Sequence, residues 1–331
     1  MKINLLVLSF FLICSSELIF GQTTDGKCGP TGNNQSCGTQ FCCSQFGFCG
    51  TSTDHCGTGC QASYGKCGTG TVSTPSSTPS SSSTLPTNAP TSSPVKAVDI
   101  TTCKVPGTVA ITFDDGPSQF TPQLLDKLKS MGVKATFFVN GNNFGCIYDN
   151  ANTLIRAFKE GHQIASHTWS HPDLATLTKG QIKYQMLKLN EAFAKILGVI
   201  PVFVRPPFGS GVDKPLVMNT LGELGFQVVT WDTDTNDWQG KSTSECLSVY
   251  KNATAPPHSH IVLNHDTIKN TATNMAPQAF QIMKNRKFKI NTVASCLGIT
   301  DSKKWYKTVG TPQKRDQTWT CTDSDKDGSI N

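Results

Sequence analysis

Residues 69 to 95 read TGTVSTPSSTPSSSSTLPTNAPTSSPV, a run built almost wholly from Ser, Thr and Pro. So few apolar side chains cannot bury enough surface to offset the backbone freedom lost on ordering. The run is therefore read as an extended linker, residues 69–96, open to O-glycosylation, and the chain must fold as separate units on either side of it. The upstream unit, residues 22–68, is too short for a self-sufficient core, yet it carries eight of the chain's fourteen cysteines between Cys28 and Cys67. Dense disulfides hold domains of that size together, and they persist in exported proteins. The downstream unit is long enough to bury a full-sized core.

The first 21 residues, MKINLLVLSFFLICSSELIFG, place a lysine ahead of an apolar run. The run is too short to span a bilayer and fits a secretory signal, residues 1–21, removed near Gly21. No second long apolar segment follows, and the closing TDSDKDGSIN has no hydrophobic tail. Neither a membrane span nor a lipid anchor is expected, and the mature protein is expected to be secreted, extracellular or in the cell wall. A formal net charge of +6 is spread along the chain, thickest near NRKFKINT and KKWYK. Charge distributed in this way is a solvated face, so no nucleic-acid partner is expected. Asn34 and Asn252 open N-x-Ser/Thr sequons, which in an exported chain mark surface positions.

Beyond the linker, short β-rich runs alternate with helix-period stretches, the pattern of an α/β protein with βα units around a parallel sheet or barrel. The predicted strands are TVAITF, KATFFV, HQIAS, VFVR, FQVVTW, HIVLN and FKINTV. Between them, TPQLLDKLKSMG sets Leu124, Leu125 and Leu128 on one helical face and stops at Gly132. IKYQMLKLNEAFAKILG does the same with Ile182, Met186, Leu189, Phe193 and Ile196 and stops at Gly198. These stripes are core. They leave the polar residues at strand ends, where an α/β barrel gathers its chemistry.

Within the short unit, the doubled Cys42-Cys43 followed by SQFGFCG resembles the hevein-like chitin-binding module, over about residues 26 to 68. Eight cysteines alone allow 105 connectivities. The resemblance implies Cys28–Cys43, Cys37–Cys49, Cys42–Cys56 and Cys60–Cys67. It also implies that Phe46 and Phe48 stack on acetamido sugars while Ser44 donates to the acetyl carbonyl, with His55 beside them. Such sugars offer apolar C–H faces and one amide, which flat rings and a hydroxyl can meet. The family usually has indoles at the two aromatic positions and tyrosine where His55 stands.

Two neighbouring acids, Asp114 and Asp115, close the first strand in TFDDGP. Ionising both is costly unless a cation or a donor compensates. HTWSH supplies further ligands, because His167 and His171 stand at i and i+4, which a helical turn would place on one side. Pro172 limits continuation of that turn. Two His and one carboxylate, with room for water, are the ligands of a catalytic zinc. A lone His pair at this spacing is more often packing; joined to TFDDGP it becomes a metal-site candidate.

TFDDGP, HTWSH, RPPFG (205–209), DTNDW (234–238) and IVLNH (261–265) follow in that order. Together they resemble the five motifs of the NodB-homology polysaccharide deacetylases, carbohydrate esterase family 4, and most closely its fungal-type chitin deacetylases. The resemblance covers a domain at 97–306 and implies a distorted (β/α) barrel. It further implies that Asp115, His167 and His171 bind zinc, or cobalt or another divalent metal, while Asp114 is the general base. Arg205 would hold Asp114 through a bidentate pair. The backbone N–H of Phe208, where tyrosine is usual, would meet the oxyanion. His265 would be the general acid, oriented by Asp237, for which Asp232 and Asp234 compete. Leu263 would line the acetyl pocket and Trp238 the sugar groove. His162, His258 and His260 are read as structural or solvent-facing.

The same resemblance supports Cys103–Cys296. Cys146, Cys246 and Cys321 then remain, so at least one is unpaired or intermolecular. Residues 307–331 are expected to be a tail, and its DSDKDG imitates only the first half of a calcium loop. The resulting expectation is a secreted monomer acting on chitin or N-acetylglucosamine oligomers and giving chitosan and acetate. Peptidoglycan or acetylxylan deacetylation by the same residues is the alternative, as is a non-catalytic chitin-binding wall protein.

Overall fold

The computed structural model describes residues 28–29, 34–38, 41–44, 49–50, 56–57, 59–67 and 96–321. The signal, the linker, Phe46, Phe48, His55 and DSDKDG lie outside the described residues. The chain divides into two compact units, one ending at Pro86 and the other beginning at Thr87.

In the first unit, β1 (Cys42–Cys43) pairs antiparallel with β2 (Cys49–Gly50). Disulfides join Cys28 to Cys43, Cys37 to Cys49, Cys42 to Cys56 and Cys60 to Cys67. Cys28, Cys37 and Cys43 are its buried apolar centre, with Cys49 and Tyr64 packed on them. Sulfur thus does the work that aliphatic side chains do in larger domains. Gly65 has to be glycine, since a Cβ there would stand 2.5 Å from the Cys43 nitrogen. Ser44 is buried, and its carbonyl accepts a hydrogen bond from Gln61 Nε2 at 2.7 Å.

The second unit is an α/β fold around a nine-stranded, all-parallel half-barrel sheet. Its strands are β3 (Asp99–Ile100), β4 (Thr108–Asp114), β5 (Thr136–Val139), β6 (Gln163–Ser166), β8 (Phe203–Val204), β9 (Gln227–Val229), β10 (Thr233–Asp234), β11 (His260–Leu263) and β12 (Lys289–Asn291). They run in the order β10-β11-β4-β5-β6-β8-β9-β3, with β12 also on β4. β12 pairs with Thr108–Ala110 and β5 with Thr112–Asp114, so two strands divide the length of β4. Every residue of β4 is buried, as a strand covered on both faces requires.

Helices cover the sheet: α1 (Thr121–Ser130), α2 (Ala151–Lys159), α3 (Lys179–Leu197), α4 (Pro215–Glu223), α5 (Thr243–Asn252), α6 (Ala276–Asn285) and α7 (Val293–Cys296). α1 begins with proline in its first turn and buries Leu124, Leu125 and Leu128. α3 opens on a capping box between Thr178 and Gln181 and ends at Gly198, whose φ of 72° suits a residue without a Cβ. The predicted apolar stripe of α3 faces inward: Ile182, Met186, Leu189, Phe193 and Ile196 are all fully buried.

One feature departs from the sequence reading. The chain does not become a tail at 307: β13 (Tyr306–Thr308) pairs antiparallel with β7 (Val199–Pro201), Trp319 is buried, and Cys321 is bonded to Cys146. Apolar burial of Trp319 against Tyr148, ring centroids 5.4 Å apart, holds this segment on the domain. Cys103 is bonded to Cys296, which leaves Cys246, buried in α5, as the free thiol among the described residues.

Because all nine strands run one way, their C-terminal ends share one edge of the sheet. Asp114 ends β4, His167 follows β6, Arg205 follows β8, Asp234 ends β10 and Leu263 ends β11. Sheet direction alone therefore collects residues scattered over the sequence into one region.

Candidate metal and acid-base site

Asp114 and Asp115 are neighbours in sequence with different surroundings. Asp114 is still strand, and its carboxylate Oδ1 accepts from Arg205 Nη1 at 2.7 Å. The same Nη1 donates to Thr112 Oγ1 at 2.7 Å. Arg205 is fully buried, with its guanidinium 4.0 Å from the Phe138 ring centroid. The pair is single, not bidentate, because Arg205 Nε and Nη2 are taken by the Val229 and Thr230 carbonyls at 3.3 and 2.9 Å. Burial raises the pKa of Asp114, and the charge of Arg205 works against that rise.

Asp115 leaves the strand in the left-handed region, φ 75°. The turn that follows is close-fitting: a Cβ on Gly116 would stand 2.3 Å from the carboxylate of Asp266. Asp115 Oδ1 is buried without a hydrogen-bond partner, and it lies 3.2 Å from His171 Nε2 and 3.5 Å from His167 Nε2. One ligand atom from each of the three lies within 4.8 Å of the others. Burial, the largest cause, pushes Asp115 up to about 7 even though His265 pulls it down.

The two imidazoles do not meet on a helical turn. They sit in a loop where Thr168 and His171 both have positive φ, 71° and 60°. Local bonds hold this strained path. Asn140 Nδ2 donates to the carbonyls of His167 and Thr168, and the His171 N–H donates to Thr168 Oγ1 at 3.1 Å. Trp169 is fully buried against Gly141, where a Cβ would stand 2.0 Å from the indole. The His167 Nδ1 lies 2.7 Å from the Arg205 carbonyl, so it carries the proton and donates, leaving Nε2 with its lone pair toward Asp115. Burial lowers the pKa of both histidines, His171 to about 4 and His167 well below its ordinary value. Neutral imidazoles and an unsatisfied buried carboxylate oxygen are a donor set that fits a divalent cation.

His265 follows β11, and its Nδ1 lies 2.8 Å from Asp237 Oδ1. Asp237 Oδ2 accepts from the His265 N–H at 2.9 Å and from Thr271 Oγ1 at 2.8 Å. The other two acids are occupied elsewhere: Asp232 by His260 Nδ1 at 2.8 Å, and Asp234 by the Asn236 N–H at 2.7 Å. Burial opposes a charge on His265, but the hydrogen bond and charge of Asp237, with Asp114 and Asp115, outweigh it and push the imidazole up to about 9. Phe208 has φ 59°, is 67% exposed, and sets its ring edge-on to His171, centroids 4.6 Å apart. Leu263 is buried, and Trp238 is 57% exposed.

Sequence reasoning missed three residues here. Asp266 is buried beside Gly116 and accepts from Thr121 Oγ1; Asn140 ties down the histidine loop; Thr271 begins a π-helical turn, Thr271–Met275, that aims its hydroxyl at Asp237. Only the position of Asp266, next to His265, could have flagged any of them.

A parallel α/β sheet that carries paired carboxylates, an Asp-His-His ligand set and a carboxylate-backed histidine at its strand ends is the architecture of a hydrolase. Residues 101–229 match the polysaccharide deacetylase family and residues 27–67 the chitin recognition protein family. A chitin deacetylase of a Pestalotiopsis species is 43% identical over 213 residues, covering 64% of this chain and 70% of that one. A probable peptidoglycan-N-acetylglucosamine deacetylase of Arthroderma benhamiae is 40% identical over 214 residues, covering 63% of this chain and 48% of that one, so the chain spans about half its length. The solved structure of the chitin deacetylase from the fungal pathogen Colletotrichum lindemuthianum aligns with a TM-score of 0.62 and 37% identity, over 64% of this chain and 96% of that one. The chain therefore belongs to the polysaccharide deacetylases of carbohydrate esterase family 4, joined here to a chitin-recognition module.

Proposed function

We propose that this chain is a secreted, zinc-dependent chitin deacetylase that hydrolyses the acetamide of N-acetylglucosamine units and leaves chitosan and acetate. The observation that carries the reading is the contrast between Asp114, which Arg205 holds, and Asp115, whose buried Oδ1 faces two neutral imidazoles with no hydrogen-bond partner. Asp115, His167 and His171 would hold the ion. When bound, it supplies Lewis acidity that polarises the acetyl carbonyl and makes water easier to deprotonate.

The chain's own residues move the protons. Asp114 takes one from the attacking water as the new C–O bond forms at the acetyl carbon. The developing oxyanion is met by the Phe208 N–H, a main-chain donor that needs no particular side chain. His265 then gives its proton to the glucosamine nitrogen as the C–N bond breaks, releasing acetate and a free amine. Asp237 keeps His265 protonated and oriented until then. Leu263 lines the pocket for the acetyl methyl, and Trp238 offers its face to the neighbouring sugar.

The chitin-recognition module favours chitin as the polymer, with Ser44, Phe46, Phe48 and His55 as its contact residues. The Arthroderma benhamiae relative keeps peptidoglycan as the second reading. Acetate release from soluble chitin oligomers, peptidoglycan and acetylxylan, each with and without a chelator, tests both. Chitin oligomers are expected to be turned over fastest and the chelator to stop the reaction; turnover of peptidoglycan alone would overturn the substrate assignment.

A further inference from the structure

The loop after β5 stands between the two segments that carry the candidate metal ligands. The Asn140 N–H donates to the Gly116 carbonyl at 3.1 Å, next to Asp115. Its side-chain amide donates to the carbonyls of His167 and Thr168. The N–H groups of Gly141 and Asn142 both donate to the Trp169 carbonyl, at 2.9 and 2.6 Å. Residues 140–142 therefore bond to the backbone of both ligand-bearing turns, and their placement sets where Asp115, His167 and His171 stand relative to one another.

What fixes that loop comes from far along the chain. Asn143, Phe144 and Gly145 are not buried, so apolar packing does not anchor its tip. The Ile147 N–H donates to the Gly141 carbonyl at 2.8 Å, Asn142 pairs with Cys146, and Cys146 is bonded to Cys321. The segment that leads to Cys321 is itself held at several points. β13 pairs with β7, and the Gln313 N–H donates to the Lys195 carbonyl of α3 at 2.8 Å. Arg315 donates to the Tyr148 carbonyl at 3.1 Å and to Asp149 Oδ1 at 2.7 Å. Trp319 packs on Tyr148, whose ring centroid lies 6.4 Å from that of Trp169, a residue between the two histidines. Residues 306–321 thus run as a strap from β7 and α3 to the loop that grips both ligand turns.

The other disulfide of this unit is a matched contrast. Cys103–Cys296 closes a separation of 193 residues and Cys146–Cys321 one of 175, so both restrict the unfolded chain to nearly the same degree. Cys103 Sγ lies 3.1 Å from the carbonyl of His260, the first residue of β11, at the edge of the sheet opposite the reactive groups. Of the two bridges, Cys146–Cys321 is the one joined to the ligand loops.

We propose that the strap 306–321, through Trp319 and the Cys146–Cys321 bridge, is a positioning element for the metal site, bracing the loop at Asn140 so that Asp115, His167 and His171 stay at binding distance. The inference rests on the reading of those three residues as metal ligands.

The test is the zinc affinity of the full chain, read by titrating the zinc-loaded protein with a chromophoric chelator. It compares the native chain, Cys146→Ser/Cys321→Ser and Cys103→Ser/Cys296→Ser, with thermal midpoints measured on the same samples. Both double variants are expected to melt earlier, by similar amounts. Only Cys146→Ser/Cys321→Ser should bind zinc about tenfold more weakly, the low end of the roughly 10- to 100-fold lost when a support behind a metal ligand is removed. Asn140→Ala, with the strap intact, should weaken binding by at least as much. Native-level affinity in Cys146→Ser/Cys321→Ser, or equal weakening in the two double variants, overturns the role of the strap while leaving the metal site intact. Should Cys146→Ser/Cys321→Ser fail to fold, the folded native protein decides the matter. Cys146 and Cys321 are partly exposed whereas Cys103 and Cys296 are buried, so a phosphine reductant should open Cys146–Cys321 first of the two, and alkylation with mass spectrometry reports when. Weakened zinc binding should accompany that opening; native-level affinity with the bridge open overturns the proposal. A native chain that binds no zinc removes both the strap and the metal-site reading.

Discussion

Asp114 and Asp115 differ by one position in sequence and by almost everything in surroundings. Asp114 ends a buried strand with its charge answered by Arg205, while Asp115 turns away through a left-handed residue and leaves Oδ1 without a partner between two imidazoles. On the proposed reading, one dipeptide supplies two functions. A carboxylate already neutralised by a guanidinium can stay free to accept a proton. A carboxylate oxygen buried without a hydrogen-bond partner beside two neutral imidazoles fits a divalent cation.

Breaking the Asp115 side is expected to have the largest effect. His167→Ala should abolish acetate release and remove the bound metal, read by elemental analysis of the purified protein. Breaking the Asp114 side comes next. Asp114→Asn keeps the shape but cannot take a proton, so kcat should fall about 100- to 10,000-fold. A loss of only a few-fold would mean that another group is the base.

Proton supply on the His265 side gives a pH signature. His265 donates only when protonated, so activity should fall as pH rises through about 9, or lower once a cation sits nearby and opposes the imidazolium. Its contribution to stability has the same sign, because the folded pKa lies above the unfolded value of about 6.5. That contribution is complete below the unfolded value and lost as pH rises through about 9. Asp237→Asn should move the alkaline limb of the rate profile toward neutral pH; an unmoved limb would detach Asp237 from the proton transfer. Thr271→Val should do the same more weakly, with activity reduced about two- to tenfold through the lost hydroxyl donor. Thr271→Ser should recover it.

Much of this arrangement was legible from the residues. The seven predicted strands are all present, since near-continuous apolar runs such as TVAITF have few alternatives in a parallel sheet. The two predicted helices were as clear, because Gly198 and the leucine stripe of α1 are local signals. β3 (DI) and β10 (TD) are two residues each with an acid in both, and they lack the apolar run that made the equally short β8 visible. The histidine loop misled for a physical reason. A spacing of i, i+4 brings side chains together on a helix, but two positive-φ residues, Thr168 held by Asn140 and His171 held by Thr168 Oγ1, do so equally well. The Cys146–Cys321 link spans 175 residues and depends on burial of Trp319, which no local pattern announces. Asp266 and Thr271 act by reaching across loops, so their value exists only once the fold has formed.

The division of labour between the neighbouring acids is tested most directly by the zinc content of purified Asp114→Asn and Asp115→Asn proteins, measured side by side with the native chain. Native-level zinc in the first and loss of zinc in the second is the expected result. Equal loss in both, or zinc retained by Asp115→Asn, would contradict the account.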